Sequence, residues 1–145
     1  MMYGDNHIRY EHASRAKRLH VRCPKCNSRA EARQPSQTEI GVIAGDCSIP
    51  WLSDDWVIVC EHCMWRVSNL SYSQLPNLFY QVEARGNILW AWNRDHLSML
   101  RQLLAGEDVS GHPYEWFATF ARREWLQKKN RKYFLKEINR TLEIS

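Results

Sequence analysis

Cys23-Pro24-Lys25-Cys26 and Cys60-Glu61-His62-Cys63 are the two stretches whose reading decides the fold. Each C-x-x-C loop can aim two sulfurs at one point, and two such loops complete a tetrahedral site with metal–sulfur bonds of about 2.3 Å. The 33 residues between Cys26 and Cys60 exceed the roughly 15–20 of a compact ribbon, so an insertion has to be accommodated. Arg22, Lys25 and Arg66 flank the pairs and offset part of the charge of four thiolates around one dication. One structural Zn2+ is expected, held by Cys23, Cys26, Cys60 and Cys63 with no position open to water. Metal binding at closed sites contributes on the order of 10 kcal/mol to folding. It implies no catalysis.

Other uses of the cysteines fit less well. A thioredoxin-like pair wants a β-α-β setting that neither loop has, and haem attachment wants a histidine where Asn27 and Met64 follow. Rubredoxin-type iron is the serious alternative, since Ser53-Asp54-Asp55-Trp56-Val57 resembles the segment before that family's second knuckle. Here Ile58 and Val59 intervene, no glycine follows either pair, and the chain is too long for such an electron carrier. Cys47 is the odd thiol, read as a buried small hydrophobe because the adjacent Asp46 raises a thiol pKa. His20 and His62 flank the site without being needed as ligands.

Short strands come first and helices last. Leu19–Val21, Trp56–Val59 and Arg66–Ser68 read as strands beside the cysteine pairs, with one further strand around Ile40–Ile43. Phe79–Glu83 and Ile88–Trp92 flank Gly86-Asn87 as a hairpin. Asn93 caps a helix whose Leu97, Leu100, Leu103 and Leu104 share a face before Gly106 closes it. Pro113 suits a first helical turn, Phe117, Phe120 and Ala121 lead towards Trp125, and Phe134, Leu135, Ile138 and Leu142 form a last amphipathic face. The expected class is α+β: an N-terminal zinc ribbon of short antiparallel strands, a hairpin and C-terminal helices. Its segments are a polar arm (1–17), the ribbon with insertion, hairpin and first helix (18–106), and a helical segment (107–145), with Gly106–Gly111 as the hinge.

Composition narrows the class of function. The 145 residues carry 20 Lys+Arg against 16 Asp+Glu, a net charge of +4, concentrated at both ends, while the centre is acidic. Hydrophobic residues at 44% exclude a disordered chain. No apolar run is long enough for a membrane helix, no signal-like segment opens the sequence, and free cysteines suit a reducing compartment. A cytoplasmic protein is expected, with no membrane and no small-molecule substrate.

Ile88-Leu89-Trp90-Ala91-Trp92-Asn93-Arg94-Asp95-His96-Leu97 is the second distinctive segment. Ile88, Trp90 and Trp92 alternate on one strand face, and His96 reads as a core histidine bonded to backbone. With the double C-x-x-C, with Leu89-Trp90-Ala91 leading through Asn93 to His96-Leu97, and with Trp125 before Lys129-Asn130-Arg131, the chain resembles a family of small bacterial zinc-ribbon proteins. The resemblance implies a transcription-factor-type ribbon and supplies no biochemical activity. It departs in the turn Ala84-Arg85-Gly86, where such relatives carry cysteines.

The leading expectation is a non-enzymatic zinc-ribbon protein that binds nucleic acid or a nucleic-acid-associated protein. Arg122, Arg123, Lys128, Lys129, Arg131 and Lys132, interleaved with Trp125 and Tyr133, are the candidate phosphate contacts. The alternative is an immunity or antitoxin protein that blocks a toxin through Trp51, Asp54, Asp55 and Trp56. No phosphate loop, nucleophile elbow or acid pair argues for an enzyme.

Overall fold

A computed structural model describes residues 15–16, 18–34, 42–43, 47–48 and 55–144. The class is α+β. The chain divides into two compact units, Met1–Phe79 and Tyr80–Ser145, so that the hairpin groups with the helices.

The first unit is built on a four-stranded antiparallel sheet in the order β2 (Arg18–Arg22), β3 (Arg29–Arg33), β6 (Trp56–Val59), β7 (Arg66–Leu70). Period-2 alternation sends Leu19, Val21, Ala30, Ala32, Trp56 and Ile58 to one buried face. The register Leu19↔Ala32↔Ile58 lines up that face across three strands. Tyr72, Leu75 and Leu78 of the following segment join this core, with the Tyr72 ring 6.0 Å from Trp56. Strand β3, Arg-Ala-Glu-Ala-Arg, is one that the sequence does not advertise: alanine and charged residues are poor strand formers in isolation, and only burial of Ala30 and Ala32 against β2 and β6 makes the segment extended. An extra residue in β7 between Val67 and Leu70 makes a bulge opposite β6, with Asn69 at φ 60°. The expected strand near Ile40–Ile43 is present as β4 (Val42–Ile43), in a small sheet ordered β1 (Arg15–Ala16), β5 (Cys47–Ser48), β4. The side chain of Cys47 lies outside the description, as do most of the polar arm and the remainder of the insertion.

In the second unit, strands β8 (Tyr80–Ala84) and β9 (Asn87–Ala91) form the hairpin. Its two-residue loop is Arg85-Gly86, one position earlier than the sequence suggests. Both residues have positive φ, 53° and 81°, the signature of a type I′ turn. Simple alternation along β9 fails as well. Ile88 is exposed, while Leu89, Trp90 and Ala91 are all buried, so side chains of both faces are covered, and Trp92 falls beyond the strand.

Helix α1 (Arg94–Leu104) begins as expected: the Asn93 side-chain oxygen accepts the His96 N–H at 2.9 Å, as a good N-cap does. It ends in a Schellman motif, Glu107 N–H to Gln102 C=O and Gly106 N–H to Leu103 C=O, with Gly106 at φ 81°. The expected helix after Pro113 is instead a 3-10 segment, Glu115–Phe120. Helix α2 (Arg123–Leu126) and helix α3 (Lys128–Ile144) meet at a corner that Asn130 locks, its buried amide donating to the Glu124 carbonyl at 3.0 Å. Trp125 Nε1–H donates to the Ile88 carbonyl at 3.0 Å, tying α2 to β9.

His96 is the core histidine the sequence implies. Its Nδ1 accepts the Trp92 N–H at 3.0 Å, and its ring packs against both Tyr114 and Phe117, with centroids at 5.8 and 5.2 Å. Burial, with a smaller contribution from His112, pushes its pKa from 6.5 down to about 3. The folded unit therefore refuses a proton that the unfolded chain accepts below pH 6.5. Stability present above that pH is lost as the pH falls towards 3, by about 1.4 kcal/mol per unit. His96→Gln is expected to lower stability at pH 7 by about 1–3 kcal/mol and to flatten the decline below pH 6.5, as read by thermal unfolding. Parallel pH profiles for the two proteins would show that His96 is not the group responsible.

Candidate metal centre

Strand ends place the sulfurs. Cys23 follows β2 and Cys60 follows β6, the strands on either side of β3, so a single sheet carries both C-x-x-C loops. The loops repeat each other bond for bond. Cys23 N–H donates to Ser28 C=O and Asn27 N–H to Cys23 C=O; Cys60 N–H donates to Trp65 C=O and Met64 N–H to Cys60 C=O, all at 2.8 Å. The residue after each second cysteine, Asn27 or Met64, has φ 68°. This left-handed position is the one a glycine ordinarily fills. Asparagine tolerates it better than most residues. Asn27 is also anchored by Arg22, whose Nη1 donates to its carbonyl at 3.3 Å. Met64 has neither advantage and is 76% exposed.

All four sulfurs lie within 4.8 Å of one another. Cys26 and Cys60 are 3.6 Å apart, Cys23 and Cys63 3.7 Å. A tetrahedron with bonds of about 2.3 Å has edges of about 3.8 Å, so the residues fit a four-thiolate ion without rearrangement. Electrostatics points the same way. The Cys26 thiol is drawn down to about 6, chiefly by the Ser28 backbone N–H, with help from the Ser28 hydroxyl and the neighbouring sulfurs. Trp65 N–H pulls Cys63 down too, yet desolvation and the other three sulfurs outweigh it and push that thiol up to about 12. The opposite shifts of Cys26 and Cys63 show that neighbouring sulfurs affect one another's ionisation. A dication would bind all four as thiolates. Cys23 and Cys60 are buried, Cys26 is half-buried and Cys63 exposed. Exposed His62 is outside the cluster, as the spacing implies.

The other candidate residues are dispersed. Lys128, Lys129 and Lys132 are exposed on α3. Arg131 is also exposed, but its Nη2 donates to the Leu126 carbonyl at 3.1 Å and closes the end of α2. Arg122 precedes α2 and is half-buried; Arg123 opens that helix and is exposed. Trp51 and Asp54 lie outside the described residues. Asp55 is half-buried with φ 71°. Trp56 is fully buried against Tyr72, so it belongs to the core and not to a partner-binding face. The sequence shows Arg18, Arg22, Arg29 and Arg33 as part of a basic N-terminal end; the structure sets them, with Arg66, on the strands of one sheet, where the alternation in Arg18–Arg22 and Arg29–Arg33 turns them to its outer face.

No protein-family model, curated protein or solved structure matches this chain. The resemblance carried by the Leu-Trp-Ala segment therefore assigns it to no family, and the centre stands on its own geometry: four cysteines that can hold a metal ion.

The strained knuckle yields a direct check. Met64→Gly relieves the left-handed backbone without loss of packing, and is expected to stabilise the protein by about 0.5–1 kcal/mol after the glycine's entropy cost. Met64→Val, whose branched side chain is worst suited to that conformation, should destabilise it. Equal denaturation midpoints for the three proteins would contradict the strain.

Proposed function

We propose that this chain is a non-enzymatic module, held folded by one Zn2+ on Cys23, Cys26, Cys60 and Cys63, whose ligand is nucleic acid. The carrying observation is the charge on the outer face of the sheet. Strands β2, β3, β6 and β7 contain five arginines (Arg18, Arg22, Arg29, Arg33, Arg66) and one acid, Glu31. Their register sets Arg18 directly opposite Arg33, and Arg22 directly opposite Arg29. Like charges facing each other across a ladder are destabilising. The ion pair of Arg33 with Glu31, the stacking of Arg22 on the Phe79 ring at 4.9 Å and the further interactions of Arg18 and Arg29 moderate this, and the strands still carry five arginines against one acid. A surface that concentrates guanidinium groups suits a polyanion, because arginine's planar fork matches phosphate oxygens. An open depression of about 340 Å³ among Glu31, Arg33, Val57, Val59, Glu61 and Arg66 lies on this side.

Zinc is preferred to iron because the flanking sequence departs from the rubredoxin pattern, with Asn27 and Met64 where glycine would follow. The absence of catalysis is part of the proposal. It is supported by His96, whose ring is committed to the Trp92 N–H and an aromatic cage.

Elemental analysis of protein isolated without added metal is expected to find one zinc per chain; stoichiometric iron would sink the zinc assignment. Nucleic-acid affinity is expected to fall steeply between about 50 and 200 mM salt, since each phosphate contact releases about one counterion. Affinity confined to the nonspecific range of about 10⁻⁴–10⁻⁶ M, together with copurification of one protein, would shift the reading to an inhibitor of that protein.

A further inference from the structure

Helix α3 buries Asn130, Phe134 and Ile138, spaced by four, against the rest of its unit. At about 100° per residue, Lys128, Lys129, Lys132 and Lys136 fall within an arc of about 100° on the opposite side. All four are exposed. The ion pairs Arg33–Glu31 and Arg140–Glu137 engage none of these lysines. No acid stands in the first turn of α3, and the lysines crowd its N-terminal half, where the helix dipole disfavours positive charge. The hairpin adds a fifth cation to the group. Arg85, at the left-handed turn position, lies 5.2 Å over the ring of Tyr133, and Lys132 Nζ lies 6.0 Å from the same ring. One aromatic ring thus gathers two cations from segments far apart in sequence.

We propose that this ridge, Lys128, Lys129, Lys132, Lys136 and the Arg85 tip, contacts the phosphate backbone of duplex DNA. The inference rests on the nucleic-acid reading above and locates the contact in the second unit. Duplex is favoured over single strand because single-strand binders offer open aromatic platforms for bases. Among the residues whose side chains are described, Tyr133 is the exposed aromatic ring, and Arg85 lies over it. B-form DNA is favoured over an RNA duplex because a helix about 10–12 Å across matches its major groove of about 12 Å, whereas the A-form groove is too narrow. The lysines are backbone contacts, so binding is largely indifferent to base sequence.

The test measures fluorescence anisotropy of a mixed-sequence DNA duplex, its single strand and the matching RNA duplex at several salt concentrations. The proteins compared are the full chain, the combined variant Lys128→Gln, Lys129→Gln, Lys132→Gln, Lys136→Gln, the variant Arg85→Gly, and a variant of the arginine-bearing sheet face, Arg33→Gln with Arg66→Gln. The expected result is preference for duplex DNA and a salt slope about three to four units shallower for the four-lysine variant, since each phosphate contact contributes about 0.9. Arg85→Gly should bind DNA more weakly yet melt at higher temperature, because glycine suits the turn. A purely structural residue would not move the two readouts in opposite directions. If the unaltered chain binds no nucleic acid, the reading of the whole protein falls. If it binds DNA and the four-lysine variant binds equally well while the sheet-face variant loses affinity, that reading stands and this ridge is overturned. Tighter binding of the single strand or of RNA overturns the choice of duplex DNA.

Discussion

Four thiols held within 4.8 Å of one another are the constraint on which the first unit depends. Its sheet is small, its middle strand is anchored by two alanines, and the two cysteine loops sit at the ends of strands with β3 between them. A cation bound there would take all four sulfurs as thiolates and tie the end of β2 to the end of β6. It also explains why a chain would hold Met64 in a left-handed conformation: the bond pattern that aims two sulfurs at one point requires that turn, whichever residue occupies it.

The second unit is held by a polar and aromatic network. Asn93 is the pivot. Its oxygen caps α1 through the His96 N–H, and its amide donates to the Tyr114 hydroxyl at 2.7 Å. His96 in turn takes the Trp92 N–H, so the backbone leaving β9 is satisfied by residues of the helix it enters. Trp90 packs edge-on to both Trp92 and Trp125. The polar residues in this segment are consumed by one another. Its histidine belongs to the architecture, and the unit's surplus charge lies on the outside of α3.

Much of this was legible in the sequence, for physical reasons that also mark the limits. Cysteine spacing reports a metal site because the chemistry needs four sulfurs at fixed reach, and Asn93 reports a helix start because few residues cap well. Strand β3 was hidden because Ala30 and Ala32 acquire extended structure from their neighbours. The hairpin turn was displaced by one residue because Arg85, at φ 53°, occupies a position where sequence leads one to expect glycine or asparagine. Trp56 looked like an interface residue because an aromatic among acids fits a surface as well as a core, and only the register of β6 decides. Among the basic residues near the C-terminus, composition could not separate Arg131, which bonds a helix-end carbonyl, from Lys136, which joins the exposed ridge. That distinction depends on the phase of α3, fixed by burial of Asn130, Phe134 and Ile138.

If the four-cysteine centre holds the first unit together, withdrawing its metal must loosen that unit alone. Amide hydrogen exchange followed segment by segment, before and after treatment with a chelator, tests this most directly. Strands β2, β3 and β6 are predicted to lose their protection when the metal leaves, while α1 and α3, which supply no ligand, keep theirs. Unchanged protection in β2, β3 and β6 after complete removal of the metal would contradict it.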